Sequence, residues 1–474
     1  MKNLFLTHLI LSASVLTEKT AHETSELRPS DILVSFLYFV AVLALIYLVL
    51  TLVSKIGKKD TNTDNIHQRD NRLGETEETK ETEMNAESDA QSSPTEKAKT
   101  PARHPLRKRK NKETPTMTNN KKVLLAMSGG VDSSSAALLL KKRGFEVVGG
   151  TMLLLDSESA RNGIEDAKAA AERLGIPHFV FDFRKKFAKE VIQRFNNEYL
   201  NGLTPNPCVD CNRFLKFSAM MDEADKYGCD YIATGHYARV EYDETLNKYL
   251  LKKAICENGI NPKDQSYFLY NLTQEQLKRV IFPLGGSSKE EVRRLAEESG
   301  LPNSKKSESQ DICFVPGGDY ARFIEKYTGI KPHKGRVIDK YGSTLGEHGG
   351  FIAYTVGQRK GIGIAFGKPM YVTGKNAAEN TVTVGENEEL FSEGLTASKI
   401  NWTAGRRMEK ETDCFAKTRY SQKESPCRVI PLSSDTARVI FEQPQRAIAE
   451  GQRVVFYDGD VVLGGGVISG VLKK

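Results

Sequence analysis

The segment KKVLLAMSGGVDSSSAALLLKKRG, Lys121 to Gly144, constrains the fold more than any other stretch of the chain. Val123 to Met127 form a short apolar run of the kind covered on both faces in a parallel sheet. Ala136 to Leu140 continues as a helix that runs into Lys141, Lys142, Arg143 and the stop residue Gly144. At the join stands Ser128-Gly129-Gly130-Val131-Asp132-Ser133. Gly129 and Gly130 permit positive φ and close approach to the backbone, while Ser133, Ser134 and Ser135 bring hydroxyls and free N–H groups to a helix start. A lone Ser-Gly-Gly is an ordinary turn, but the full run in strand–turn–helix context is an anion site. No Gly-Lys-Ser/Thr follows and the glycines are not spaced as GxGxxG, so it is neither a Walker loop nor a dinucleotide fingerprint.

Alternation of strands and helices continues beyond this unit. Glu146 to Leu155 reads as a strand, Ile164 to Leu174 as a helix stopped by Gly175 and Pro177, and His178 to Phe183 as a strand. Cys229 to Val240 supplies another strand with its loop, and Ser288-Lys289-Glu290-Glu291 reads as a capping box opening a helix that ends at Gly300. The fold expected is an α/β doubly wound parallel sheet, with ligands at the carboxyl ends of its strands. From about Lys334 short strands separated by Gly and polar turns follow, and Asp458-Gly459 within Arg453 to Ile468 marks a hairpin. A small central β-rich domain and a C-terminal antiparallel β-barrel are expected, with boundaries at residues 121–330, 331–392 and 393–474.

The first 120 residues belong to another physical class. Ile32 to Val53 is an uncharged apolar stretch of 22 residues, enough to cross a bilayer as a helix. It defines an N-terminal segment 1–54, followed by a polar, charged linker 55–120 too poor in large apolar residues to pack. Lys55, Lys58 and Lys59 favour a cytoplasmic downstream side, so the catalytic part is expected in the cytoplasm, tethered to the inner face of the plasma membrane. Alternatively Met117, just before the first strand, is the true start. The net charge of +7 suits a nucleic-acid partner without requiring one, and Arg107 to Lys110 reads first as a solvated charge run.

Seven cysteines without a regular framework read as thiols free for chemistry. Cys208 and Cys211 form a CxxC after two prolines in TPNPCVDCNRFLKF, and Cys313 stands in SESQDICFVPGGDY. Thiolate is both the reactive form of cysteine and the form that carries sulfur as a persulfide. Cys229, Cys256, Cys414 and Cys427 read as small buried hydrophobes. No second CxxC or close His pair exists, so no metal ligands are assigned and zinc is not expected. In ATGHYAR, Gly235 and His236 end a strand where a loop can approach a nucleotide, with the His236 side chain structural by default. In NPKDQSYFLYNL, Lys263, Asp264 and Gln265 crowd against Tyr267, Phe268 and Tyr270, as a loop entering a strand or as a surface for phosphate and base.

SGGVDS resembles the pyrophosphate loop of the N-type ATP pyrophosphatases, which cleave ATP between the α and β phosphates and attach AMP to an oxygen. The ordered series SGGVDS, NPCVDCN, ATGHYAR, KDQSYFL, SQDICF, YTVGQRKGIGI and RYSQ resembles the bacterial tRNA-specific 2-thiouridylases across Lys121 to Lys474. That resemblance implies ATP-dependent 2-thiolation of a wobble uridine, with ATP and Mg²⁺ as cofactors and tRNA and a cysteine desulfurase or sulfur carrier as partners. It implies that Ala126, Met127, Ser128, Gly129, Gly130, Val131, Asp132 and Ser133 hold the phosphates, with Met152 and Gly235 lining the nucleotide site. Asn206, Pro207 and Cys208 would contact the target base; Cys211 would be the nucleophile and Cys313 the persulfide carrier. Lys263, Asp264, Gln265, Arg419 and Tyr420 would touch tRNA. Some members carry Asp where this chain has Cys208, so no carboxylate base is carried over at that position.

The residue types suit this chemistry. Adenylating the uridine C2 oxygen turns a poor leaving group into AMP, and sulfur from a persulfide then attacks C2, directly or as sulfide released when a Cys211–Cys313 disulfide forms. A rival mechanism uses Cys208, Cys211 and Cys313 as ligands of an iron–sulfur cluster. Two other functions are consistent with parts of the chain: a small-molecule adenylating ligase, which leaves the cysteine motifs unexplained, and a tethered RNA-binding protein with a vestigial ATP site.

Overall fold

The computed structural model describes residues 121–257, 259–304, 306 and 312–473. The expected membrane span at residues 32–53, the linker and the first half of SQDICF lie outside them. Among the described residues no helix is long and apolar enough to cross a membrane.

The first strand, β1 (Lys122–Ala126), shows why its sequence reads as an unbroken apolar run. Successive side chains point to opposite faces, and both faces are covered. Val123 and Leu125 pack with Ala136, Ala137 and Leu140 of α1 (Val131–Lys142) and Ala167, Ala170 and Ala171 of α2 (Glu158–Leu174). Leu124 packs on the other side with Val148, Phe217, Met220 and Ile232. The small alanines let α1 and α2 lie close to the sheet. Gly175, at φ 61°, ends α2 by accepting a left-handed conformation.

Five strands pair in the order β3 (His178–Asp182), β2 (Glu146–Leu153), β1, β4 (Tyr231–Thr234), β7 (Val280–Ile281), every neighbour parallel. The chain builds outward from β1 to β3, then returns to place β4 on the other side of β1. The loops after β1 and β4 therefore leave adjacent strand ends in opposite directions, which opens the crevice where such sheets bind ligands. The expected capping box is present: Ser288 and Glu291 bond reciprocally at the start of α4 (Lys289–Glu298).

A four-stranded sheet follows, ordered Thr344–His348, Gly335–Ile338, Thr381–Gly385, Tyr371–Asn376. The C-terminal strands run Phe391–Asn401, Ala437–Arg446, Ser425–Pro431, Thr412–Lys417, Arg453–Asp458, Val461–Leu472, and the last pairs back with the first to close a barrel. Asp458 pairs with Val461 across the expected hairpin, with Gly459 at φ 57°. The segment Cys229 to Val240 divides, because the Gly235 loop ends β4. The hairpin β5 (Ala238–Asp243) and β6 (Lys248–Lys253) then joins the barrel sheet through Val461 and Lys252.

Candidate active site

The glycine loop sits at the switch point. Gly129 has φ 72°, and a Cβ there would lie 2.3 Å from the Gly163 carbonyl oxygen of α2, so both conformation and space demand glycine. Gly130 occupies the N-cap of α1 without a side-chain cap, which leaves the first-turn N–H groups without a capping partner. Ser133 Oγ donates to Gly130 O at 3.0 Å and accepts from Ser128 N at 3.2 Å, folding the loop onto itself. The other two serines turn inward instead of toward a ligand. Ser134 Oγ donates to Gly130 O and Ser135 Oγ to Val292 O, because both lie on the buried face of α1.

Asn303, Lys289 and Tyr237, which the sequence did not mark as site residues, secure this loop. Asn303, 5% exposed, donates from Nδ2 to Gly129 O at 3.1 Å and Ser134 Oγ at 2.8 Å. Asp132 Oδ1 accepts from Lys289 Nζ at 2.7 Å and from Tyr237 Oη at 2.9 Å. Gly235, after β4, packs so tightly on the start of α1 that a Cβ would meet Ser133 N at 2.9 Å. Met152, half-buried in β2, touches two apolar clusters, one of which includes Cys211.

The CxxC lies on α3 (Pro207–Cys211), where Asn206 caps the helix through Val209 N and Pro207 takes the first position. Cys211 packs on an apolar cluster built partly by Phe314 and Val315, the residues that follow Cys313. This shared wall brings two thiols more than a hundred residues apart in sequence to one place. Burial pushes the Cys211 thiol up to about 12, and Lys216 opposes the rise, while Cys313 and Cys208 add to it. Cys208 and Cys313 reach solvent, yet desolvation raises both, Lys216 again acting the other way. All three thiols thus lie within one another's electrostatic range.

His236 is buried, and its pKa falls well below the ordinary value through desolvation and the nearby Lys216. Its Nε2 lies 3.5 Å from Lys216 Nζ and its Nδ1 2.7 Å from Thr234 Oγ1. An ammonium only donates, so Nε2 accepts and the ring proton sits on Nδ1, donated to Thr234. His236 thus spends both ring nitrogens on partners within the protein, and it forms the link from Lys216 to the loop that packs on Ser133.

The expected tRNA contacts divide by exposure. Lys263 is exposed, whereas Asp264 is 6% exposed and its carboxylate accepts from Ala254 N and from Ser266 N and Oγ. Gln265 Oε1 accepts from Tyr237 N. Arg419 donates to the carbonyls of Val356 and Ala447 at 2.9 Å, joining the four-stranded sheet region to the barrel. Tyr420 is exposed and its ring lies 4.5 Å from that of Phe268, so the KDQSYFL and RYSQ motifs meet in one aromatic surface. A cavity of about 650 Å³ elsewhere, lined by Lys185, Lys189, Asn197 and Tyr327 among others, includes none of the expected site residues.

Three family descriptions match in series: the tRNA methyl transferase HUP domain over residues 121–317, the tRNA methyl transferase PRC-barrel domain over 321–386, and the aminomethyltransferase β-barrel domain over 392–468. The tRNA-specific 2-thiouridylase MnmA of Acetivibrio thermocellus is 48% identical over 337 residues, 69% of this chain and 93% of that protein. The chain belongs to the tRNA-specific 2-thiouridylase family. A second thiouridylase, from Clostridioides difficile, is 45% identical over 335 residues, 69% of this chain and 92% of its own length. Among solved structures, the U34-tRNA thiolase NcsA from Methanococcus maripaludis with its [4Fe-4S] cluster matches at 20% identity and a TM-score of 0.29, covering 46% of this chain and 66% of that one. Among the described residues no three His, Cys, Asp or Glu side chains group as a metal-ligand set.

Proposed function

We propose that this chain is an ATP-dependent tRNA sulfurtransferase that makes 2-thiouridine at the wobble position. The observation that carries this reading is a line of neighbours from Ser133 of the glycine loop through Gly235 and His236 to Lys216, whose charge acts on all three thiols. An anion cradle at a helix start and a thiol cluster are thereby two ends of one site. Ala126 to Ser133 would hold the ATP phosphates, with Met152 and Gly235 beside the nucleotide. ATP would carry Mg²⁺ on its phosphates, and Asp132, at the head of α1 with Oδ1 already accepting from Lys289 and Tyr237, would offer its other oxygen to a water of that ion. Bound there, the ion supplies charge neutralisation of the pyrophosphate.

The uridine C2 oxygen attacks the α phosphate, forming a C2–O–AMP bond and releasing pyrophosphate. The Cys211 thiolate attacks the inner sulfur of a Cys313 persulfide; a Cys211–Cys313 disulfide forms, and the outer sulfur leaves as hydrosulfide. Hydrosulfide adds to C2 and AMP departs, which leaves the thiocarbonyl. Turnover then needs a thiol reductant for the disulfide and a cysteine desulfurase or sulfur carrier to reload Cys313. Asn206, Pro207 and Cys208 frame the target base. Lys263 and Tyr420 face the RNA directly, while Asp264, Gln265 and Arg419 hold the segments that present them. A base presented to these thiols must leave its stack, which suits an anticodon loop.

We divide the chain at residues 121–330, 331–392 and 393–474 into catalytic, central and barrel domains, after an N-terminal segment 1–54 and a linker 55–120. The apolar residues 32–53 would tether this cytoplasmic enzyme to the membrane, a point settled by which fraction of lysed cells retains the full chain. The function is tested by mass spectrometry of nucleosides from unmodified tRNA incubated with the full chain, ATP, Mg²⁺ and a persulfide donor. The parent should form 2-thiouridine, and Cys211→Ser and Cys313→Ser should not. ATP split to AMP with no thionucleoside from the parent would sink the substrate assignment.

A further inference from the structure

The CxxC helix does not continue as an α-helix. From Asn212 to Ala219 the chain is π-helical, and Phe217 leaves helical geometry altogether at φ −113°, ψ 15°. That change of winding has a consequence for Lys216. In an α-helix of ~3.6 residues per turn, side chains five apart point about 140° away from each other. In a π-helical stretch the bonds close from i to i+5, so a residue five further on returns close to the same face. Lys216 stands five residues after Cys211 and is carried back toward the thiols by this winding.

Its surroundings agree. Lys216 Nζ approaches His236 Nε2 at 3.5 Å, and that ring is neutral, so it leaves the ammonium charge uncancelled. Of the carboxylates near the thiols, Asp210 lies on the buried side of α3 facing Arg453, with Arg194 and Arg213 also acting on it. Glu198 likewise faces Arg453. Asp210 still acts on Cys208 and Cys211, raising both, while it and Glu198 face Arg453; the positive charge felt by Cys208, Cys211 and Cys313 alike is that of Lys216.

We propose that Lys216 is a positioning residue for sulfur transfer, its ammonium holding the anionic form of whichever of the three thiols carries the charge. A thiol in this apolar pocket gives its proton to water only if the resulting S⁻ is compensated. As the charge passes from the Cys211 thiolate to the departing hydrosulfide, one flexible lysine stem can follow it. The proposal rests on reading these thiols as the sulfur carriers.

The test is residue-resolved alkylation by iodoacetamide as a function of pH, on the full chain without ATP or tRNA, for the parent, Lys216→Met and Lys216→Arg. Removing a neighbouring cation should slow alkylation of Cys208, Cys211 and Cys313 ~tenfold at fixed pH, and move the midpoints of Cys208 and Cys313 up by about one pH unit. The Arg variant should stay near the parent, and Cys256 should be unaffected in all three. Alkylation of the buried Cys414 and Cys427 would reveal unfolding, in which case Lys216→Gln takes the place of the Met variant. Midpoints unchanged on removal of the charge overturn the proposal. Shifted midpoints in a parent that makes no 2-thiouridine would uphold Lys216 and overturn the function instead.

Discussion

Replacing Gly129 by alanine tests whether the loop after β1 is held as described. Two costs add. An L residue at φ 72° sits in the left-handed region, at ~1–2 kcal/mol. The new Cβ would also stand 2.3 Å from Gly163 O and 2.9 Å from Asp166 Cβ, so α2 or the loop must retreat by about 1 Å, and overpacking of this kind costs ~1–3 kcal/mol. Together they reach ~2–5 kcal/mol, a melting temperature lower by about 5–15 °C or, if the loop yields first, a displaced phosphate cradle. Gly175→Ala isolates the first term, because Gly175 has φ 61° and nothing within 4 Å of the added carbon. Thermal unfolding and the ATP concentration dependence of AMP release should be measured for both. Gly129→Ala should melt below Gly175→Ala and show a raised KM for ATP, while Gly175→Ala keeps the parental KM. If the two variants melt together and bind ATP equally, the loop is not wedged against α2 and the argument fails.

Other substitutions probe other parts. Asn303→Ala removes two hydrogen bonds to the loop and leaves their acceptors to rearrange, at ~1–3 kcal/mol, and should raise the KM for ATP; a parental KM would refute the assignment. Tyr420→Ala removes an exposed ring tilted against Phe268 and should weaken tRNA binding by ~1–2 kcal/mol while ATP binding stays unchanged, read by filter binding with and without the nucleotide. Lys375, beneath Tyr199, is lowered by burial from 10.5 to about 8. Between those values the unfolded chain holds a proton that the native state has lost, so its penalty is full below about 8 and fades as pH rises toward 10.5. Lys375→Met should therefore be more stable than the parent at pH 7, with the advantage shrinking by pH 10 in urea unfolding; an advantage that does not change with pH would contradict the burial of a charge there.

The amino-acid sequence by itself determined the features that depend on neighbours along the chain. The apolar run of β1, the glycine loop, the capping box at Ser288 and the hairpin at Asp458 are local, and each appears where its residues require it. The order of motifs also carried the family, because seven short signals in one sequence constrain more than any of them alone. Tertiary structure decided what depends on distance. Asn303 lies 174 residues from Gly129, and no local pattern marks it as the group that holds the loop. Asp264 looked available to RNA because it stands among polar and aromatic residues, but the fold spends its carboxylate on Ala254 and Ser266. The hairpin β5–β6 belongs to the catalytic segment in sequence and to the barrel sheet in space, since strand pairing does not respect chain order. Lys216 shows the difference most plainly: α-helical spacing turns it away from Cys211, whereas the π-helical winding of Asn212 to Ala219 turns it back toward that face.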